Sequence, residues 1–216
     1  MPLVGYYVCV MVNRDYKDSA PGTYFHVYNR GNKKEDIFLD ESDFRFFLLK
    51  LRQYLLPDEK DKSRLSLLPK DSFSLISYCL MPNHFHLLIR QNLDIPTSKL
   101  LLRVCTSYSK YFNKKYDKVG HIFQDQFKQV TIGDNDYLKW LSCYIHQNPK
   151  VAGLVSKIAD YGWSSYRDFI GKDSNGICDK EIILSQFDSS NDFKHFTESS
   201  YEVIKNRIEI IGLTLD

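Results

Sequence analysis

The order in which two hydrophobic periodicities alternate along this chain restricts its fold more than any other feature. Runs with the two-residue period of strands and runs with the three-to-four-residue spacing of helices follow one another in the order β-α-β-β-α-β-α. The first six of these elements match the split βαβ arrangement, an antiparallel sheet with helices on one face. We therefore predict an α+β, ferredoxin-like fold whose second sheet face is free, with a mostly helical C-terminal appendage.

The predicted elements divide the chain into three parts. An N-terminal extension covers 1–20, a single domain covers 21–171 and a flanking segment covers 172–216, with Met11 as an alternative start to Met1. Strands are predicted at 23–30, 74–80 and 84–90 and within 120–132. Helices are predicted after Asp40, from about 97 to 116, and from 134 to 148, where Pro149 is expected to stop the helix.

Composition narrows the class of protein. With 216 residues, 43% hydrophobic and 26% charged, the chain is an ordinary globular one that can bury a sizeable core. No run is apolar enough to span a membrane, and the short apolar start lacks the basic residues of a secretory signal. The five cysteines have no paired spacing, which is typical of a reducing compartment, so we expect a cytoplasmic protein with no membrane partner.

Charge is unevenly distributed, although the net value is only +2. Residues 99–128 include seven basic and two acidic side chains, whereas 171–216 include five basic and nine acidic ones. A basic middle segment favours a nucleic-acid partner, while a solvated helix surface is the simpler alternative. One stripe of the middle helix carries the candidate DNA-binding residues Lys99, Arg103, Lys110 and Lys114.

Two histidines flank Phe85 in the third predicted strand. Since strand side chains alternate between faces at a rise of ~3.3 Å per residue, His84 and His86 leave one face with their Cα atoms about 6.6 Å apart. Two imidazoles at this spacing can bind one metal ion. The simpler alternative is that both are half-exposed strand histidines with no ligand. The histidine pair alone does not decide between a metal site and this alternative.

The first predicted strand carries a second set of polar and aromatic side chains. Alternation places Tyr24, His26, Tyr28 and Arg30 on one face, where they could meet the histidine pair and Arg90. Aromatic rings, imidazoles and a guanidinium on an open sheet form a platform for unpaired bases and phosphates. His26 is also a weak candidate for the base that assists a nucleophile, although a strand histidine that packs or contacts DNA is the simpler interpretation.

The last predicted helix of the domain brings a hydroxyl and an amide to one side. Tyr144 and Asn148 are four residues apart, so they lie one above the other. The Asn148 amide oxygen could be a third metal ligand, and the Tyr144 hydroxyl could attack a bound electrophile. A core aromatic residue and a helix-ending residue before proline are the alternatives that spacing leaves open.

An ordered set of motifs resembles the single-tyrosine HUH transposases, most closely the REP-associated tyrosine transposases. The resemblance covers about 21–171 and depends on the ordered set, since a single H-x-H is a weak signal. The motifs are YFHV at 24–27 with RGN at 30–32, MPNHFH at 81–86, YIHQNP at 144–149 with AGLV at 152–155, and GWSSY at 162–166.

The resemblance implies a fold, a metal and a reaction. It implies a ferredoxin-like domain in which a divalent ion, Mg²⁺ or Mn²⁺, is held by His84, His86 and Asn148, and in which Tyr144 attacks a phosphate of single-stranded or hairpin DNA. Imidazoles suit Zn²⁺ equally well, so the choice of ion comes from the resemblance. It also implies a prokaryotic, nucleoid-associated protein that acts as a monomer or homodimer. The chain departs from the pattern where Asp125-Gln126 replaces a common arginine, which puts one DNA backbone contact in doubt.

Three functions remain open from the sequence. The first is a DNA strand transferase that works through a phosphotyrosine. The second is a non-catalytic single-stranded DNA- or RNA-binding module on the same sheet. The third is a metal-dependent phosphodiesterase that uses water. Trapping of a covalent protein–DNA adduct distinguishes the first from the other two.

Overall fold

Four antiparallel strands form the centre of the molecule. The structure is a computed structural model that describes residues 20–57, 67–173 and 176–211, so the predicted N-terminal extension and the question of Met11 lie outside the described residues. The strands run in the order β2-β3-β1-β4, the order of the predicted split βαβ fold, and the ferredoxin-like prediction is confirmed. Their bounds are β1 Tyr24–Arg30, β2 Phe73–Met81, β3 His84–Gln91 and β4 Lys128–Ile132.

Seven helices surround the sheet in the described part of the chain. They are α1 Glu41–Leu55, α2 Thr97–Lys115, α3 Asn135–Val151, α4 Tyr166–Phe169, α5 Glu181–Leu184, α6 Ser190–Ser199 and α7 Tyr201–Ile211. The helical C-terminal segment agrees with the prediction. None of the helices described is long and apolar enough to cross a membrane.

The first sheet face is covered by α1 and α2, as predicted. Phe25 and Val27 of β1 and Phe85 and Leu87 of β3 point to this face and are fully buried. They join one hydrophobic core with Phe47 and other residues of α1 and α2. Burial of such side chains contributes roughly 1.5–3 kcal/mol each, so this core is a main source of stability.

The second sheet face is not free, and the prediction is wrong on this point. Leu88, Cys79 and Ile132 make the face apolar away from the histidine pair, and all three are buried. They pack with α3 and the C-terminal helices in a second core. The physical reason is that α3 has its own apolar side, exemplified by Leu141 and Ile145, which needs a partner surface.

Pro149 does not end α3, contrary to the prediction. The helix continues to Val151 with the proline inside its last turn. Backbone hydrogen bonds from Ala152 to the Asn148 carbonyl and from Leu154 to the Pro149 carbonyl complete this turn. The extra turn carries α3 past the point where the sequence suggested a break.

A buried carboxylate joins the start of α1 to the end of α2. Asp40 caps α1 and shares a capping box with Asp43. The Asp43 carboxylate is fully buried and accepts hydrogen bonds from Tyr111 (3.0 Å), Lys115 (2.7 Å) and Tyr116 (2.7 Å). This contact fixes the two helices against each other on the first face.

Candidate nucleic-acid cleavage site

The histidine pair begins directly after the hairpin turn between β2 and β3. The segment that follows β1 forms hydrogen bonds to the backbone of this turn. The Gly31 amide donates to the Asn83 carbonyl (2.7 Å), and the Ile37 amide donates to the Pro82 carbonyl (2.8 Å). Gly31 has no space for a side chain, because a Cβ there would overlap the Glu35 carbonyl oxygen. The close approach of two backbone segments therefore fixes the start of the histidine strand.

His84 and His86 point to the second sheet face, as predicted. Their ring centroids are 5.1 Å apart and the rings are nearly perpendicular. The Nδ1 atom of His84 lies 2.6 Å from the side-chain oxygen of Asn83, and the Nδ1 atom of His86 lies 2.9 Å from Nε2 of His26. The Nε2 atoms of both strand histidines are buried with no hydrogen-bond partner among the described residues.

The hydrogen bond to Asn83 selects one tautomer of His84, and the contact between His86 and His26 is compatible with the same tautomer of His86. An oxygen acceptor at Nδ1 requires His84 to carry its proton there, which leaves a lone pair on Nε2. If His86 donates from Nδ1 to His26 in the same way, its Nε2 also has a free lone pair. Both free lone pairs then belong to atoms that lack any other partner.

Burial keeps the three imidazoles neutral. It lowers the pKa of His26 to about 3 and, with a smaller effect from the charge of Arg30, the pKa of His84 to about 4. Burial also lowers the pKa of His86 well below its usual value, and its two neighbouring histidines add to the effect. Neutral imidazoles are the form that binds metal ions.

Tyr144 lies over this group from α3. Its ring meets the His86 ring edge-on, with centroids 5.6 Å apart, and the His26 ring edge-on at 6.2 Å. The residue is half-buried. Asn148 lies one turn further along α3, is almost fully buried, and donates from Nδ2 to the Tyr144 carbonyl (2.8 Å). This bond uses the nitrogen of the amide, so the oxygen remains as an acceptor.

These residues fit a divalent metal ion. The two unpartnered Nε2 atoms are the fit test, because buried polar atoms are otherwise nearly always hydrogen-bonded. No group of three His, Cys, Asp or Glu side chains within the described ranges is arranged to hold a metal ion. The Asn148 amide oxygen is the third ligand that the sequence predicts beside His84 and His86.

The other predicted site residues separate into two groups. Arg30 and Arg90 belong to the second face with the histidines, and Arg90 places its guanidinium 5.7 Å from the Tyr24 ring centroid. The α2 stripe lies on the helix layer of the first face, across the sheet from the histidine pair. Lys99, Lys110 and Lys114 are exposed and Arg103 is half-buried, and two of these lysines line a groove of about 980 Å³ beside 120–127.

Two residues near the site were missed from the sequence. Asn83 supplies the oxygen that orients His84, and its place in the hairpin turn was the available signal. Lys128 starts β4 opposite Tyr28, with its ammonium 5.8 Å from the ring centroid, so it brings a positive charge to the second face. Its placement depends on the pairing of β1 with β4, which periodicity does not reveal.

Asp125, at the position of the missing arginine, is exposed.

Two comparisons with known proteins agree with this geometry. Residues 50–148 match the family model described as transposase IS200-like, a range that includes both strand histidines, Tyr144 and Asn148. A solved structure of a REP-associated tyrosine transposase bound to a REP hairpin has the same fold, with a TM-score of 0.52 and 17% sequence identity over 72% of this chain and 81% of that chain. No curated protein matches the chain in sequence.

The family match relates this chain to DNA transposases over residues 50–148, which is slightly less than half of its length. More narrowly, this part of the chain is similar to the IS200-like transposases, and its sheet has the fold of a REP-associated tyrosine transposase. The resemblance inferred from the ordered motifs is thereby confirmed.

Proposed function

We propose that this chain cleaves and rejoins single-stranded, hairpin-forming DNA through a covalent phosphotyrosine at Tyr144. The observation that carries the proposal is the edge-on approach of the Tyr144 ring to His86, whose Nε2 has no partner among the described residues. The hairpin that is bound in the solved neighbour supports this class of DNA partner.

The proposed reaction exchanges one phosphate ester for another. The Tyr144 oxygen forms a bond to a backbone phosphorus, and the bond from that phosphorus to the 3′-oxygen breaks, so one strand ends in a free 3′-hydroxyl. The phenol proton leaves Tyr144, and the departing 3′-oxygen takes up a proton. Attack by a 3′-hydroxyl on the phosphotyrosine reverses the exchange and joins two strands, without ATP.

The chain's own residues orient the phosphate and exclude water. When bound, a divalent ion such as Mg²⁺ or Mn²⁺, held by His84, His86 and Asn148, would supply Lewis-acid stabilisation of the charge on the phosphate. Burial of the histidines strengthens electrostatic interactions at this point. His26 is engaged with His86 and weakly basic, so its proposed part is to position that ligand.

Side chains around the site supply the proposed DNA contacts. Arg30, Arg90 and Lys128 line the second face, where they can meet the strand that is cleaved. The α2 stripe would meet a part of the DNA that passes the first face.

Adduct trapping with single-stranded hairpin DNA tests the proposal. Tyr144→Phe removes one oxygen and little volume, so the free energy of unfolding should change by less than ~1.5 kcal/mol, while the covalent adduct should disappear. Tyr111→Phe is the matched control, since it is also half-buried, and it should keep the adduct. His84→Ala and His86→Ala should abolish cleavage while DNA is still bound.

The same assay separates the alternatives. Peptide mapping should find the nucleotide on Tyr144, and an adduct that survives Tyr144→Phe would contradict the assignment. Cleavage by the wild-type protein with no adduct would indicate a phosphodiesterase that uses water. Binding with no cleavage would indicate a non-catalytic module.

A further inference from the structure

A pocket of about 410 Å³ lies between the end of α3, the turn at Ile158–Asp160, α4 and α6. We call it the lysine pocket, because Lys150, Lys157, Lys172 and Lys194 line it and Glu198 is the single carboxylate among its lining residues. These elements belong to the helix layer on the second sheet face. Two of the lysines come from the C-terminal segment, whose overall charge is negative.

Four lysines against one carboxylate leave the lining of the pocket with an excess of positive charge, although Lys172 also interacts electrostatically with the neighbouring Asp173. Other lysines, such as Lys115 and Lys180, form close ion pairs with aspartates, but none of the four pocket lysines forms one with a described carboxylate. Glu198 accepts a hydrogen bond from the Tyr166 hydroxyl (3.0 Å). The Lys150 ammonium lies 4.1 Å from the Tyr201 ring centroid, a contact that positions the charge without cancelling it.

An excess of lysine ammonium groups along one concave space is suited to a phosphate. Each is a compact, strongly hydrated charge that acts on a phosphate oxygen as a point charge. A pocket of this size holds a single phosphate group with its neighbouring sugar more readily than a folded protein segment.

We propose that the lysine pocket binds a backbone phosphate of the DNA strand whose other part lies at Tyr144. This inference rests on the proposed function. One helix links the two places, since α3 carries Tyr144 toward the sheet and Lys150 into the pocket, about 9 Å further along its axis at 1.5 Å per residue. The pocket therefore lies on the same side of the sheet as Tyr144, whereas the α2 stripe lies across the sheet.

The salt dependence of DNA affinity tests the proposal. Anisotropy of a labelled hairpin oligonucleotide with unpaired flanks is measured over a salt series for the wild-type protein and for Lys157→Gln/Lys194→Gln. DNA affinity falls as salt rises, and removal of one single-strand phosphate contact should make this fall less steep by ~0.7 log units of affinity per log unit of salt. If the two proteins bind equally at 1 M salt, the variant should bind about fivefold more weakly than wild-type protein at 0.1 M salt.

A matched double variant controls for the removal of charge. Lys70→Gln/Lys50→Gln also removes one exposed and one half-buried lysine, but on the layer of the first face. It should keep the wild-type slope. Equal slopes for the two double variants would overturn the proposal.

Two further measurements separate this inference from the proposed function and from a free ligand. A lower slope in the pocket variant supports the pocket even if wild-type protein forms no adduct at Tyr144, in which case only the cleavage chemistry fails. An unchanged slope with a normal adduct overturns the pocket alone. Calorimetric titration with inorganic phosphate is the second measurement. If phosphate binds to wild-type protein but not to the pocket variant, and both proteins show the same salt dependence of DNA affinity, the pocket is a site for free phosphate and the proposal is overturned.

Discussion

Replacement of His26 tests whether its hydrogen bond orients His86 as a ligand. His26 is 3% exposed, and its Nε2 lies 2.9 Å from Nδ1 of His86. The two rings also stack, with centroids 5.1 Å apart. His26→Leu removes the hydrogen-bond partner and keeps most of the volume, so that the His86 ring is no longer oriented by a hydrogen bond but is still packed.

The expected effect follows from the function of such a hydrogen bond. Removal of a group that orients a ligating histidine typically lowers metal affinity by about 10–100-fold, which is roughly 1.4–2.8 kcal/mol at 1.4 kcal/mol per tenfold. The stability change should be smaller, because the unsatisfied Nδ1 costs ~1–3 kcal/mol and the buried leucine offsets part of it. Metal affinity should therefore fall in a protein that remains folded.

Calorimetric titration with Mn²⁺ measures this directly. His26→Gln is the informative comparison, since the end of a glutamine side chain can occupy the place of Nε2 and accept from His86. We expect wild-type protein to bind most tightly, His26→Gln to recover most of the affinity and His26→Leu to lose it. Equal Mn²⁺ affinity in His26→Leu and wild-type protein would refute the orienting function, and binding that persists in His86→Ala would refute the ligand assignment itself.

Two other predictions concern stability and DNA binding. Burial raises the pKa of Asp43, but hydrogen bonds from Lys115, Tyr116, the Leu39 amide and Tyr111 outweigh this and leave the pKa lowered. A carboxyl with a lowered pKa stabilises the fold above its unfolded pKa of ~3.9, and this contribution is lost as the pH falls through the folded value. The thermal midpoint should therefore drop on acidification below about pH 4. Asp43→Asn should cost ~2–3 kcal/mol in urea unfolding at neutral pH and flatten the acid limb; an unchanged limb would contradict this account. Charge reversal by Arg103→Glu/Lys110→Glu should make the fall of log DNA affinity with log salt less steep by ~0.7 for each phosphate that the stripe no longer binds. An unchanged slope would show that the α2 stripe is only solvated.

The sheet and its facing residues were predictable because strand alternation is a local property. The pattern around His84 and His86 assigned both to one face, and the structure agrees. The pattern from Tyr24 to Arg30 likewise gave the correct face of β1. The covering of the second face was not predictable in the same way, because it depends on where α3 and the C-terminal helices dock, and no local periodicity encodes docking.

Interactions between distant segments were the main limit at the site. His26 meets His86 because β1 pairs with β3 in a register that puts His26 opposite Leu88, one diagonal step from His86. A shift of two residues that placed His26 opposite Arg90 would keep the same faces and separate the two rings. The lysine pocket has the same origin, since its members are separated by up to 44 positions, from Lys150 to Lys194, and meet only in the folded chain.

The backbone support beneath the histidine strand enlarges the set of mutations that can inactivate this protein. Gly31 touches no ligand and carries no side chain, yet any Cβ there would meet the Glu35 carbonyl and, at 2.9 Å, a methyl group of Ile37. The segment that must move to relieve this overlap also holds the turn before His84. A copy of the gene that has decayed by drift can therefore keep every chemical residue intact and still encode an inactive protein, so the integrity of a copy has to be judged at Gly31 as well as at the histidines and the tyrosine.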